Sequence, residues 1–129
     1  MREFKFRAWD GCKMCAVKAL EFTENEGIVV TKDDGYFGYT GSDLRLMQST
    51  GLKDKNGWEI WAGDIVEIRY MNPLTNSEVV ERYKIEKAES TLYEMRHSSG
   101  ELCSDRSLFL AHERVEVIGN IFEHPELLK

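Results

Sequence analysis

The stretch MQSTGLKDKNGWEIWAGDIVEI, residues 47–68, decides the fold, because its centre, Asp54-Lys55-Asn56-Gly57, reads either as a cation-binding loop or as a sharp turn. A calcium loop of the EF-hand kind needs oxygen ligands at positions one, three and five, glycine at six and a bidentate glutamate at twelve. With Gly57 at six, Asp54 and Asn56 fall at three and five, but Leu52 and Gly63 occupy one and twelve. Neither has a side-chain oxygen, so the cage is open at both ends. Asn-Gly instead supplies the two positive-φ positions of a type I′ turn, which matches the twist of a β-hairpin. Lys53 to Lys55 and Trp58 to Ile60 are then expected to run antiparallel, with Asp54 as a turn residue.

Outward from this hairpin, apolar and polar residues alternate with the period of half-buried strands, and helix signals are scarce. Upstream, Phe4, Phe6 and Ala8 share a face, Asp10-Gly11 turns, Met14 to Phe22 returns, Gly27 to Thr31 and Tyr36 to Tyr39 continue, and Asp33-Asp34-Gly35 turns between them. Downstream, Ile65 to Tyr70, Val79 to Glu86 and Thr91 to His97 read as strands, with Tyr83, Ile85, Tyr93 and Met95 pointing inward. Met71 to Ser77 reads as a loop because it holds Asn72-Pro73 and Asn76. Ser98-Ser99-Gly100 is a turn, and Ser104 to His112 fits a helical turn or an edge strand. In VEVIGNIFE (115–123), Val115, Val117 and Ile121 alternate, and Gly119 marks a bulge or a close backbone approach. The expectation is a mainly β protein with little helix: an N-terminal β meander over 1–49 and an SH3-like β barrel over 50–129, packed as one continuous unit.

The chain of 129 residues is 42% hydrophobic and 31% charged, which marks a soluble globular protein rather than a disordered or membrane-spanning one. MREFKFRAWD has no apolar signal-peptide core, so a cytoplasmic location is expected. Charge is −6, with 7 basic and 8 acidic residues through Thr50 and 10 and 15 from Gly51 onward. Such a field disfavours autonomous binding to phosphate backbones.

Three cysteines argue against a disulfide framework. Cys12-Lys13-Met14-Cys15 has the spacing of half a zinc site, which Cys103 and one of His97, His112 or His124 would have to complete. A redox pair would instead open a helix within an α/β pattern, which this chain lacks. Two incidental thiols account for the motif as it stands, and no metal or other cofactor is expected. Among hydrolytic signatures, G-x-S-x-G, H-E-x-x-H and the P-loop are missing, His112-Glu113 has no second histidine four positions along, and Glu126 near His124 reads as a solvated face. No catalytic residue is assigned.

FRAWD (6–10), LMQSTGLKDKNGWEIWAGDIV (46–66) and VEVIGNIFEHPELL (115–128) together resemble the YopX family of small proteins encoded by bacteriophages and prophages. The resemblance implies a mainly β fold and a phage or prophage setting in the bacterial cytoplasm, and it brings no activity, substrate or catalytic residues. The chain departs from the family at Cys12 and Cys15, where lysine and asparagine are commoner, and at Trp58 and Trp61, where smaller residues are usual. A binding or assembly module is therefore the expected function, with Trp58, Ile60 and Trp61 as interaction candidates, Trp9 as a core residue, and a homo-oligomer or another protein as partner. The alternative from another class is an accessory nucleic-acid-binding role, with Lys53 and Lys55 beside Trp58.

Overall fold

The central hairpin forms, and its loop departs from the type I′ expectation. In the computed structural model, which describes residues 5–24, 28–32, 37–39, 44–87, 93–97 and 102–128, β5 (Arg45–Lys53) returns as β6 (Glu59–Trp61). The Asp54 N–H donates to the Trp58 carbonyl at 2.8 Å, and the Gly57 N–H donates to the Asp54 carbonyl at 3.0 Å. Lys55, Asn56 and Gly57 are thus a three-residue loop, with positive φ at Gly57 (86°) and not at Asn56. A type I turn closed by a left-handed glycine has this pattern, and the glycine forms a bulge. Asn56 needs no left-handed backbone because Asp54 Oδ1 accepts its N–H at 2.9 Å, and that of Trp58 at 2.9 Å.

The same carboxylate reaches much farther along the chain. Asp54 is 5% exposed, and its Oδ2 accepts the Val117 N–H at 2.9 Å. The Lys55 N–H donates to the Val115 carbonyl at 3.0 Å. Val115 precedes β11 (Glu116–Asn120) and Val117 lies within it, so the turn occupies the edge of β11 away from its strand partner.

The chain divides into two compact units, Met1–Ser49 and Thr50–Lys129. In the first, β1 (Phe6–Trp9), β2 (Met14–Phe22), β3 (Ile28–Lys32), β4 (Phe37–Tyr39) and the start of β5 run antiparallel in the order β4-β3-β2-β1-β5. Central β1 pairs Ala8 with Cys15 on one side and Leu46 on the other. Ala8 is buried with Val30 and Leu44, and Val17, Leu20, Ile28 and Leu46 pack against them. The turn expected at Asp33-Asp34-Gly35 lies outside the described residues.

In the second unit β6 flanks the end of β5, where Thr50 Oγ1 donates to the Ile60 carbonyl at 2.7 Å. A second antiparallel sheet contains β7 (Asp64–Asn72), β8 (Ser77–Lys87), β9 (Tyr93–His97), β10 (Leu102–Ser107) and β11, in the order β10-β9-β8-β7-β11. Tyr83, Ile85, Tyr93 and Met95 are buried, as their alternation predicts, and join Ile60, Val66 and Leu108 in one core. Ser104 to His112 takes both of its readings in turn. Strand β10 ends at Ser107, and the helical turn α1 (Leu108–Ala111) then drives Leu108 and Ala111 into the core at i, i+3 spacing. The expected turn at Ser98-Ser99-Gly100 falls outside the described residues.

Two expectations are corrected. The described strands close no barrel, because β11 meets β7 on one edge and the Asp54 turn on the other, while β10 stands at the far side of the sheet. The loop read over Met71 to Ser77 shrinks to four residues: β7 continues to Asn72, whose Oδ1 accepts the Leu74 N–H at 2.9 Å, and Asn76 takes the left-handed position at φ 53°. Gly119 is where its sequence placed a close approach. The β7–β11 register shifts between Val117 and Gly119, and a Cβ on Gly119 would lie 2.7 Å from His124 Nδ1.

Asp54→Ala removes the acceptor of three amide donors and should lower stability by about 2–4 kcal/mol. Gly57→Val should lower it by about 1–2 kcal/mol through backbone strain alone, since nothing lies within 4 Å of the added Cβ. Gly57→Asn should cost less, because asparagine tolerates the left-handed region. Denaturant midpoints of the four proteins check the ranking, and equal midpoints for wild type and Asp54→Ala would refute the bracket.

Candidate interaction surface

The three interaction candidates meet different fates. Trp58 closes the loop, with its N–H held by Asp54 and its side chain 70% exposed. Ile60, two residues on, is 0% exposed and packs in the core, so it offers nothing to a partner. Trp58 stands on the loop, ahead of β6, which begins at Glu59, whereas Ile60 is the middle residue of that strand. Trp61 is half-buried, and its N–H donates to Asp64 Oδ2 at 2.8 Å. Trp9 is also half-buried.

Near Trp58, Lys55 Nζ lies 3.7 Å from Glu116 Oε2, and the Lys53 backbone carbonyl accepts from His112 Nδ1 at 2.8 Å. That bond gives His112 a structural task beside its neighbour Glu113. His124 Nδ1 receives the Asn120 N–H at 3.4 Å, where its ring covers Gly119.

A second exposed region was missed by sequence reasoning. Tyr70, Met71, Leu74 and Val80 are 40%, 55%, 93% and 42% exposed, and all belong to the far half of the β7–β8 hairpin. Pairing of Arg69 with Val80 and Met71 with Glu78 puts Met71 and Val80 on one face, while Tyr70 and Val79 share the other. A sequence signal was present: Tyr70 to Ser77 holds no charge in a chain that is 31% charged. Nearer the core, Glu67 is buried and receives Arg69 Nε at 2.6 Å and Arg82 Nε at 3.0 Å, while Arg82 Nη1 donates to the Leu127 carbonyl at 3.2 Å. Burial pushes the Glu67 carboxyl up, but the hydrogen bonds and charges of Arg69 and Arg82 outweigh it and hold the group below the ordinary glutamate range.

At the cysteine pair, Asp10 Oδ1 accepts the N–H groups of Cys12 and Lys13 at 2.8 Å each, and the Cys15 thiol lies 3.7 Å from Asp10 Oδ2. Burial and then the Asp10 charge push the Cys15 thiol up, the reverse of what a nucleophile needs. Cys12 is exposed, and the Cys103 side chain is outside the described residues. No group of three or more potential metal ligands occurs among the described residues. No helix among them is long and apolar enough to cross a membrane.

These features define a mainly β protein of two antiparallel sheets. The model of the YopX family, described as YopX protein, matches residues 5–129, and the chain belongs to that family. A crystal structure of protein EF1440 from Enterococcus faecalis is similar, with 31% identity, a TM-score of 0.70 and 100% of both chains covered. Comparison with curated proteins finds no match.

Native protein treated with a thiol reagent should lose Cys12 at once, while Cys15 should react only as the fold opens. Mass spectrometry of Cys15 labelled as fast as Cys12 would contradict the burial. Glu67 contributes stability that is fully present above its unfolded pKa, near 4.5, and is lost as pH falls through its lower folded value. Glu67→Gln should therefore be less stable than wild type at neutral pH, with the difference shrinking as pH falls below the unfolded value in a series of denaturant melts.

Proposed function

We propose that this YopX-family chain is a non-catalytic protein-binding or assembly module of phage or prophage origin, acting in the bacterial cytoplasm. The observation that carries the reading is Trp58. A tryptophan 70% exposed on a turn braced by three hydrogen bonds to one carboxylate is a large apolar anchor that costs little further ordering to use. Half-buried Trp61, three residues away at the far end of β6, is the second candidate anchor. The partner is another protein or a second copy of the chain. The histidines whose side chains are described, His112 and His124, make backbone contacts, which supports a binding role over a catalytic one.

Binding of single-stranded nucleic acid through stacking on Trp58 is the second reading, and it draws less support. The neighbouring Lys55 is shared with Glu116, and the chain carries −6.

Trp58→Ala should leave stability within about 0.5 kcal/mol of wild type, because the side chain is exposed. It should also lose self-association in light scattering or capture of a protein from nuclease-treated host lysate. A wild type that captures no protein and instead retains nucleic acid with a steep salt dependence would overturn the reading.

A further inference from the structure

Of the asparagines in the chain, Asn25, Asn56, Asn72, Asn76 and Asn120, Asn56 alone precedes a glycine. That pairing has a chemistry of its own. The amide nitrogen of the following residue, once deprotonated, attacks the asparagine side-chain carbonyl, a succinimide ring closes and ammonia leaves. Water then opens the ring to aspartate or to isoaspartate. A side chain on the attacking residue hinders ring closure, and glycine has none. Room for the ring is present as well, since Asn56 and Gly57 are both exposed and a Cβ built on Gly57 would meet nothing within 4 Å.

The native turn withholds the reaction. Attack requires the Gly57 N–H to give up its proton and turn toward the Asn56 side chain, but that N–H donates to the Asp54 carbonyl at 3.0 Å. The amides on either side are pinned too, because Asp54 Oδ1 accepts the N–H of Asn56 and of Trp58 at 2.9 Å each. The Asp54 carboxylate also sets a negative charge beside a nitrogen that must become negative, and like charge opposes that step. We propose that Asn56 is a deamidation site gated by Asp54. While the bracket is closed the ring cannot form; once it opens, ammonia leaves and the change is permanent.

The isoaspartyl product does not refit the turn. Isoaspartate carries the main chain through the former side chain, which adds a methylene to the short loop that Asp54 and Trp58 close between them. The Gly57 and Trp58 N–H groups then no longer meet Asp54 together, and the carboxylate that also holds the Val117 N–H at 2.9 Å is disturbed. Aspartate, by contrast, keeps the backbone and adds only a charge. Trp58 follows directly and is 70% exposed, so isoaspartate at 56 loosens the turn that presents it. The chemistry stands whether or not Trp58 meets a partner, since every reactant except water belongs to the chain.

The test ages the full chain in mildly alkaline buffer at body temperature and maps peptides by mass spectrometry. Deamidation reads as a gain of one mass unit at Asn56, and an isoaspartyl methyltransferase used as reagent tells isoaspartate from aspartate. The same chain in guanidinium chloride gives the rate of the open loop. Opening the native loop breaks its hydrogen bonds to Asp54, so folded wild type should deamidate at Asn56 at least about tenfold more slowly than denatured protein. Folded Asp54→Ala should approach the denatured rate. In the denatured chain Asn76, which precedes serine, should lag behind Asn56. Equal rates in folded and denatured wild type, a denatured chain unchanged at Asn56, or folded Asp54→Ala as slow as wild type would each overturn the proposal. Where Asp54→Ala does not fold, hydrogen exchange of wild type decides: the Gly57 N–H should be protected, and exchange at the rate of an open amide overturns the gate. Aged protein enriched in isoaspartate should unfold at lower denaturant than Asn56→Asp, and equal midpoints would refute the damage to the turn.

Discussion

A single buried carboxylate ties together parts of the second unit that lie far apart in sequence. Asp54 spends one oxygen on the amides of its own turn and the other on Val117, more than sixty positions along. A carboxylate withdrawn from water is tolerated only where donors replace its hydration, and here all three donors are backbone N–H groups. Local turn and distant strand are thereby held by the same group. The turn cannot relax without releasing the β11 edge, and β11 cannot shift without leaving Asp54 short of a donor. The same bracket explains the open sheet, because the edge that would have closed a barrel is already occupied.

Support falls away along β7 from that region outward. Asp64 through Ile68 are buried in succession, with neighbours on both edges as far as Glu67. Glu67 marks the limit, and its carboxylate is gripped by one arginine from its own strand and one from β8. Beyond buried Ile68 the hairpin is exposed on both faces, at Tyr70 on one and at Arg69 and Met71 on the other. A structure graded in this way opens first where neighbours are fewest, and interaction surfaces tend to be drawn from such regions. Among the described residues, Tyr70, Met71, Leu74 and Val80 are exposed on the β7–β8 hairpin, Trp58 on the turn and Phe22 at the end of β2.

Trp58 and Ile60 show how narrowly function and packing are divided in this chain. Two residues separate a side chain exposed over most of its surface from one with none exposed. Trp58 stands on the loop ahead of β6, available to solvent, while its backbone N–H stays pinned by Asp54. Surfaces of this kind are laid over a fold without being implied by it, which is why membership of the family fixes the architecture more firmly than the activity.

The sequence by itself determined the features that depend on near neighbours. Period-two alternation marked the strands and placed Tyr83, Ile85, Tyr93 and Met95 inside; Gly57 marked the turn; Gly119 marked the spot where His124 closes over the backbone. These follow from the pleat and from what a missing Cβ permits, both visible within a few residues. Only the tertiary structure decided the rest. Asp54 looked like a turn residue because its partner Val117 is remote in sequence. Ile60 looked like a surface candidate because alternation along so short a strand does not say which face the core takes. Met71 to Ser77 looked like a loop because proline and asparagine announce a reversal without fixing how far the strands run before it. The barrel was expected because a list of strands does not state which edges meet. Strand pairing and edge closure are settled by contacts between distant segments, and a local pattern carries no record of which distant partner wins.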